Sequence, residues 1–204
     1  MTVDSPQPAV QRLPGRPRAD QTTPGARARV LTTADRLFSD EGIRVVGVDR
    51  LIAESSVTKA TFYKHFGAKD TLVLEYLAGR HDRDVEALAA LVEEHPDGVE
   101  RIRALLESVV AQLQAPGYRG SPWANAASEF SDPTHAVRAS IAEHREWQTD
   151  ALVDLFKDAA HPMPGDAADD LLLAWDGAQI GAYAGDAIAA AASLRRTVER
   201  LLSA

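Results

Sequence analysis

The sequence predicts an all-α protein of about nine helices, a small N-terminal three-helix unit followed by a larger helical bundle. Three observations lead there. Apolar side chains recur at i, i+3/i+4 from Ala26 almost to the C-terminus. No segment sustains the period-two alternation of a half-buried strand. No unit of about 20–50 residues repeats, which excludes a solenoid. The 204 residues are 45% apolar, with a mean hydropathy of −0.21. That suits a globular chain able to bury a core without staples.

Residues 1–25 are poor in apolar side chains and hold Pro6, Pro8, Pro14, Pro17 and Pro24, so they are expected to form a disordered arm. Within it, Arg16 and Arg18 flank Pro17 on a stiffened, extended backbone. Such an arm can place an arginine in a narrow minor groove. A flexible basic tail has the same composition.

From Ala26 the period becomes helical through Val30, Leu31, Ala34, Leu37 and Phe38, until Gly42 stops the helix. A short helix covers 48–55, with Val48, Leu51 and Ile52 inward. Ser56 to Thr58 breaks the chain, and Thr58 is a good N-cap for the next helix, 59–66, ended by Gly67. A long helix runs from about Lys69 to Glu94, closed by a turn at His95–Gly98. Helices follow over 99–114, 123–130, from Asp132-Pro133 onward, 166–184 and 187–202. The expected units are a helix-turn-helix domain at 26–70 and a helical domain at 71–204.

The formal net charge is −8. Alone, that argues against a phosphate-binding protein. The charge is not evenly spread, however. Residues 1–80 hold 12 Lys and Arg against 9 Asp and Glu, and residues 81–204 hold 10 against 21. Within 12–69 the balance is 11 against 6. A basic N-terminal third on an acidic remainder suggests two parts with different partners. The chain has no cysteine, which removes disulfides, thiol catalysis and Cys-based zinc sites and gives no sign of secretion. No uninterrupted apolar run reaches about 18 residues and no signal-peptide core is present, so a cytoplasmic protein is expected.

Two short helices separated by about three residues, with a helix before them, form a helix-turn-helix layout. In the second, Phe62 and Phe66 share an inward face with Val57. The opposite face carries Lys59, Thr61, Tyr63 and Lys64, with small Ala60 allowing close approach to a groove. Lysine and threonine can reach base edges or phosphates, and a tyrosine hydroxyl suits phosphate. An ordinary amphipathic helix with a solvated face shows the same pattern.

At these residues the sequence resembles the TetR family of transcriptional regulators. The resemblance covers about 45 residues and rests on Phe38, Gly42, Val48, Leu51, Ala53, Val57, Thr58, Lys59, Thr61, Tyr63, Phe66, Lys69 and Leu72. Tyr63, Phe66 and Lys69 are its most specific part. Gly120 to Phe130, with Asp176-Gly177-Ala178, is similar to one branch of the family's C-terminal domains. The resemblance implies a ligand-responsive repressor that binds pseudo-palindromic operator DNA as a homodimer and is released by a small-molecule inducer. It implies groove-facing roles for Lys59, Thr61 and Thr58, and backbone contacts by Tyr63, Lys64, His65 and Lys69. Two positions depart from the pattern. Ser56 stands where the family often has glycine, at a place where αL backbone is needed. Gly47 stands where it often has serine or threonine, leaving the amides of Val48 and Asp49 to meet phosphate. These departures favour the alternative, a small-molecule-binding or adaptor protein that no longer reads DNA.

In the acidic bundle, Gly177, Gly181 and Gly185 recur every four residues, a smooth stripe for close helix approach. The family's dimer is built from these last helices, which makes the stripe a candidate dimer face, with an internal seam as the other reading. Polar and aromatic candidates for an inducer pocket are Trp123, Asn125, Glu129, Phe130, His144, Trp147, Gln148, Trp175, Gln179 and Tyr183. The motifs of serine hydrolases, P-loops, dinucleotide sites and zinc peptidases are missing, and no acid, base and electrophile come together. No enzyme activity, metal or cofactor is expected.

Overall fold

A computed structural model describes residues 24–203. Arg16 and Arg18, with the rest of the expected arm up to residue 23, lie outside the described residues. The helices are α1 (Ala26–Glu41), α2 (Val48–Glu54), α3 (Lys59–Phe66), α4 (Lys69–Glu94) and α5 (Gly98–Leu113). They continue with α6 (Pro122–Glu129), α7 (Ala136–Asp158), α8 (Pro164–Ala184) and α9 (Ala187–Leu202). The described residues are all-helical, without strands.

Local chemistry sets most boundaries. Gly42 ends α1 at φ 97° and Gly67 ends α3 at φ 69°, in the region glycine enters without penalty. Ser121 and Pro122 open α6 as N-cap and first-turn proline. The clearest departure from the sequence reading is at α7. Asp132 accepts from the Thr134 amide and hydroxyl at 2.9 and 2.7 Å, closing a local turn. His135 then caps the helix, its Nδ1 accepting from the Val137 amide at 3.2 Å. The helix therefore starts at Ala136 rather than at Asp132-Pro133.

Two hydrophobic cores organise the chain. The first joins α1, α2, α3 and the first half of α4, through Leu37, Phe38, Leu51, Phe62, Phe66, Leu72 and Leu77, and recruits Ala126, Phe130 and Val137. The second is built from α5, α7, α8 and α9 around Ile102, Leu113, Phe156, Leu172 and Leu194. Each large aliphatic or aromatic side chain fully buried contributes about 1.5–3 kcal/mol. Where α5 begins, a Cβ on Gly98 would lie 2.3 Å from the Asp158 carbonyl carbon, so only glycine lets α5 reach the end of α7.

The glycine stripe of α8 has a mixed placement. A Cβ on Gly181 would meet the Ala190 Cβ at 3.3 Å, so this position serves the α8–α9 approach inside the subunit. Gly177 has open space around it. All three glycines line a surface groove between α8 and α9.

Candidate nucleic-acid interface and bundle cavity

The turn before α3 fixes the reading helix. Ser56 takes φ 53°, the left-handed conformation that the sequence suggested this position needs. Thr58 caps α3, accepting from the Thr61 amide at 3.1 Å, and the two threonine hydroxyls pair at 2.8 Å. Phe62 and Phe66 are buried, 5.5 Å apart between ring centres. Anchored from below, α3 exposes Lys59, Ala60, Tyr63, Lys64 and His65, with Thr61 half-buried. Val48 is half-buried in the first turn of α2, and Gly47 gives that helix no side-chain cap. The polar face expected from the sequence is therefore presented as one surface.

Charge accounting narrows the cations on that surface. Arg50 binds Glu41 through two nitrogens at 2.5 and 2.6 Å and Glu54 at 2.7 Å. Arg36 also binds Glu54. The Arg50 hydrogen bond holds the Glu41 carboxyl below its usual range, and Arg36 and then Arg50 do so for Glu54. Arg27 pairs with Glu75, and Arg29 donates to the carbonyls of Pro24, Ser55 and Ser56. Lys59 approaches Asp49 only to 3.8 Å, with both groups widely exposed. On α3, Lys59 and Lys64 are the lysines facing outward.

Lys69, expected among the backbone contacts, is turned inward. Its ammonium donates to the Ile43 carbonyl at 2.6 Å and lies 6.0 Å from the Phe38 ring centre. Burial pushes its pKa below the usual lysine value. Its side chain fixes the α1–α2 turn instead of facing outward.

Six of the ten proposed pocket residues come together. Trp123, His144, Trp147, Gln148, Trp175 and Gln179 line one cavity of about 180 Å³ between α4, α5, α6, α7 and α8. Arg80, Asp84, Leu91 and Gln112 line it too and were missed from sequence. The spacing of Arg80, Asp84, Ala87, Leu88 and Leu91 along one face of α4 was the available signal. The Trp123 and His144 rings stack 3.6 Å apart at 9°. His144 is buried, and its Nδ1 lies 3.1 Å from the Nδ1 of His81. Burial, then the neighbouring His81 and Arg145, push its pKa down to about 4, so its ring is neutral at pH 7.

The other four candidates lie elsewhere. Asn125 donates to the Arg119 carbonyl at 2.9 Å. Phe130 is buried in the first core, beside His135 and 6.0 Å from the Arg44 guanidinium. Tyr183 sits on the surface beneath Arg119. Glu129 reaches across to the first core, where its carboxylate accepts from the amides of Ile43 and Arg44 at 2.9 and 2.5 Å. It holds the α1–α2 turn.

Two connections thus run from the cavity wall to the helix-turn-helix. Arg80 lines the cavity and donates to Asp35 and Ser39 of α1 at 2.9 and 2.6 Å, and Arg83 joins it on Asp35 at 2.7 Å. Helix α6 carries Trp123 in the cavity and Glu129 on the turn.

Comparison with known proteins agrees with this architecture. Residues 30–76 match the family model of bacterial regulatory proteins of the tetR family. The chain is 29% identical over 125 residues to the HTH-type transcriptional regulator LmrA of Bacillus subtilis (strain 168). That match spans 60% of this chain and 66% of the relative's length, just short of two thirds. Among solved structures, a TetR-family transcriptional regulator from Streptomyces coelicolor superposes with a TM-score of 0.84 at 35% identity. It is matched over 87% of this chain and 94% of its own. A putative regulator from Streptomyces avermitilis, at 24% identity and a TM-score of 0.77, shares the fold. No described helix is long and apolar enough to cross a membrane.

Proposed function

The chain belongs to the TetR family of transcriptional regulators, and from that premise we propose a ligand-responsive repressor. In this reading it binds a pseudo-palindromic operator as a homodimer in the cytoplasm and leaves it when a small molecule fills the cavity. The domains are a helix-turn-helix unit at 26–70 and a helical effector and dimerisation unit at 71–204. One observation carries the ligand response. Arg80 is at once part of the cavity wall and the clamp on Asp35 and Ser39 of α1. A ligand that prefers one position of Arg80 therefore biases the placement of the reading head.

Lys59, Thr61 and Thr58 face the groove, while Tyr63, Lys64 and His65 take phosphates. The open first-turn amides of Val48 and Asp49 offer a further phosphate contact. Leu173, Ile180, Tyr183 and Ile188 are large apolar side chains exposed on α8 and α9. Such a patch supports a two-fold interface there, close to the groove lined by Gly177, Gly181 and Gly185.

The test is DNA binding to the region upstream of the chain's own gene, measured across salt concentrations. Binding should fall steeply with log salt, and Lys64→Ala, which removes one phosphate contact from each protomer of the dimer, should reduce that slope by about 2. Lys59→Ala and Tyr63→Phe should weaken binding. No binding to any DNA at low salt would reject the repressor and leave a helical small-molecule-binding protein.

A further inference from the structure

The cavity's charges are unevenly engaged. Arg80 has its guanidinium on Asp35 and Ser39 and lies 5.4 Å from the Tyr76 ring centre. It is already held. Asp84, one turn along α4, is the carboxylate of the cavity lining and is half-exposed. Among the described residues no Lys or Arg nitrogen comes within 4 Å of it. Its nearest basic neighbour is the His144 Nε2 at 3.9 Å. That imidazole is neutral at pH 7, so it offers a dipole and no compensating charge. Burial pushes the Asp84 carboxyl up, against the indole N–H of Trp123, which favours the ionised form.

The rest of the wall is aromatic, apolar or amide. All three tryptophans of the chain line this one cavity. Tryptophan faces attract cations, more strongly when water is displaced. The surrounding bundle, with 10 Lys and Arg against 21 Asp and Glu over residues 81–204, enriches cations near its surface. An anion would meet a carboxylate with no Lys or Arg paired to it at contact distance, felt by Arg80 and Arg83 only from farther off, and a guanidinium already in use. The volume sets a minimum for the ligand, because a dry cavity of about 150 Å³ accepts benzene and a second groove of about 300 Å³ adjoins this one through Trp123, His144 and Gln179.

We propose that the cavity binds a cationic ligand, a protonated amine or quaternary ammonium on a body of at least one aromatic ring, with the charge at Asp84 beside the tryptophans. This deepens, and rests on, the reading of the cavity as the effector site. The ammonium sits one helical turn from Arg80 and weakens the local attraction between Asp84 and that guanidinium. The ligand therefore acts on the residue that clamps α1.

Tryptophan emission reports the cavity directly. The titration uses benzyltrimethylammonium, its uncharged isostere neopentylbenzene, and the anion phenylacetate. The cation should bind at least tenfold tighter than the isostere, and phenylacetate weakest. Asp84→Asn should remove that preference while leaving the isostere within about twofold, and Asp84→Glu, which keeps the charge, should retain it. Circular dichroism checks that both variants fold. Equal binding of cation and isostere, or an Asp84→Asn variant that keeps the preference, overturns the cationic assignment. If that equal binding is blocked by a cavity-filling Ala151→Phe, the cavity stands as a ligand site without it. Emission unmoved by all three probes rejects both readings.

Discussion

Glu129→Gln should loosen the junction between the two cores. In the native protein the carboxylate accepts from the Ile43 amide at 2.9 Å and the Arg44 amide at 2.5 Å, across 86 and 85 residues of chain. Glutamine is isosteric but keeps only one acceptor oxygen. Its NH2 group must face the second backbone N–H, so one bond is lost and two donors oppose each other. A hydrogen bond to an ionised group contributes about 1.5–3 kcal/mol. A net loss of about 2 kcal/mol lowers Tm by about 4–8 °C for a chain of this size. The same figure gives about 30-fold faster amide exchange wherever exchange proceeds by opening of this turn. Thermal unfolding and hydrogen exchange at Ile43 and Arg44 measure both. A Tm within 1 °C of the native value, with unchanged exchange at those amides, would show that Glu129 does not hold the turn.

Three further outcomes follow from the same structure. The folded pKa of His144 lies near 4, below its unfolded value, so the unfolded chain takes up the proton first. Its stabilisation is complete above about pH 6.5 and is lost as pH falls toward 4. His144→Gln should flatten that acid limb by about 1–3 kcal/mol, allowing for water in the adjacent cavity. Urea midpoints at pH 7 and 4.5 that shift in parallel for both proteins would contradict this. Tyr118 has a buried hydroxyl without a partner among the described residues, and burial pushes its pKa up to about 12. Tyr118→Phe should raise Tm by about 2–4 °C, a gain of about 1 kcal/mol, and a lower Tm would mean the hydroxyl is satisfied in solution. Leu173→Arg, at a site 67% exposed on α8, should convert the proposed dimer to monomers in sedimentation. An unchanged mass would move the interface off that face.

How much was legible in the sequence depends on how far each residue's partners lie along the chain. The reading head was largely legible. The Thr58 cap, the αL demand at Ser56, the glycine stops and the inward Phe62 and Phe66 are settled within a few residues. The cavity was legible in part, because helical periodicity says which face is polar but not what that face meets. Trp123 and Glu129 sit on the same short helix and looked equivalent, yet one lines the cavity and the other caps a turn about 86 residues away. Lys69 looked like a phosphate contact until the Ile43 carbonyl, 26 residues distant, engaged it. Asp84 was passed over for the same reason. Its meaning comes from the Trp123 and His144 rings, which arrive from α6 and α7.

Helix α4 has 26 residues, with its first half in one core and Arg80 and Asp84 on the cavity wall. It is a lever. From Asp84 back to Lys69 the axis spans about 22 Å at 1.5 Å per residue. A tilt of about 5° at the cavity end carries the other end through about 2 Å, while hydrogen bonds to DNA tolerate only a few tenths of an ångström. No bond in the helix need break and no core need unpack. A stiff rod converts a small angle at one end into a misfit at the other, so a ligand of a dozen atoms is large enough to matter.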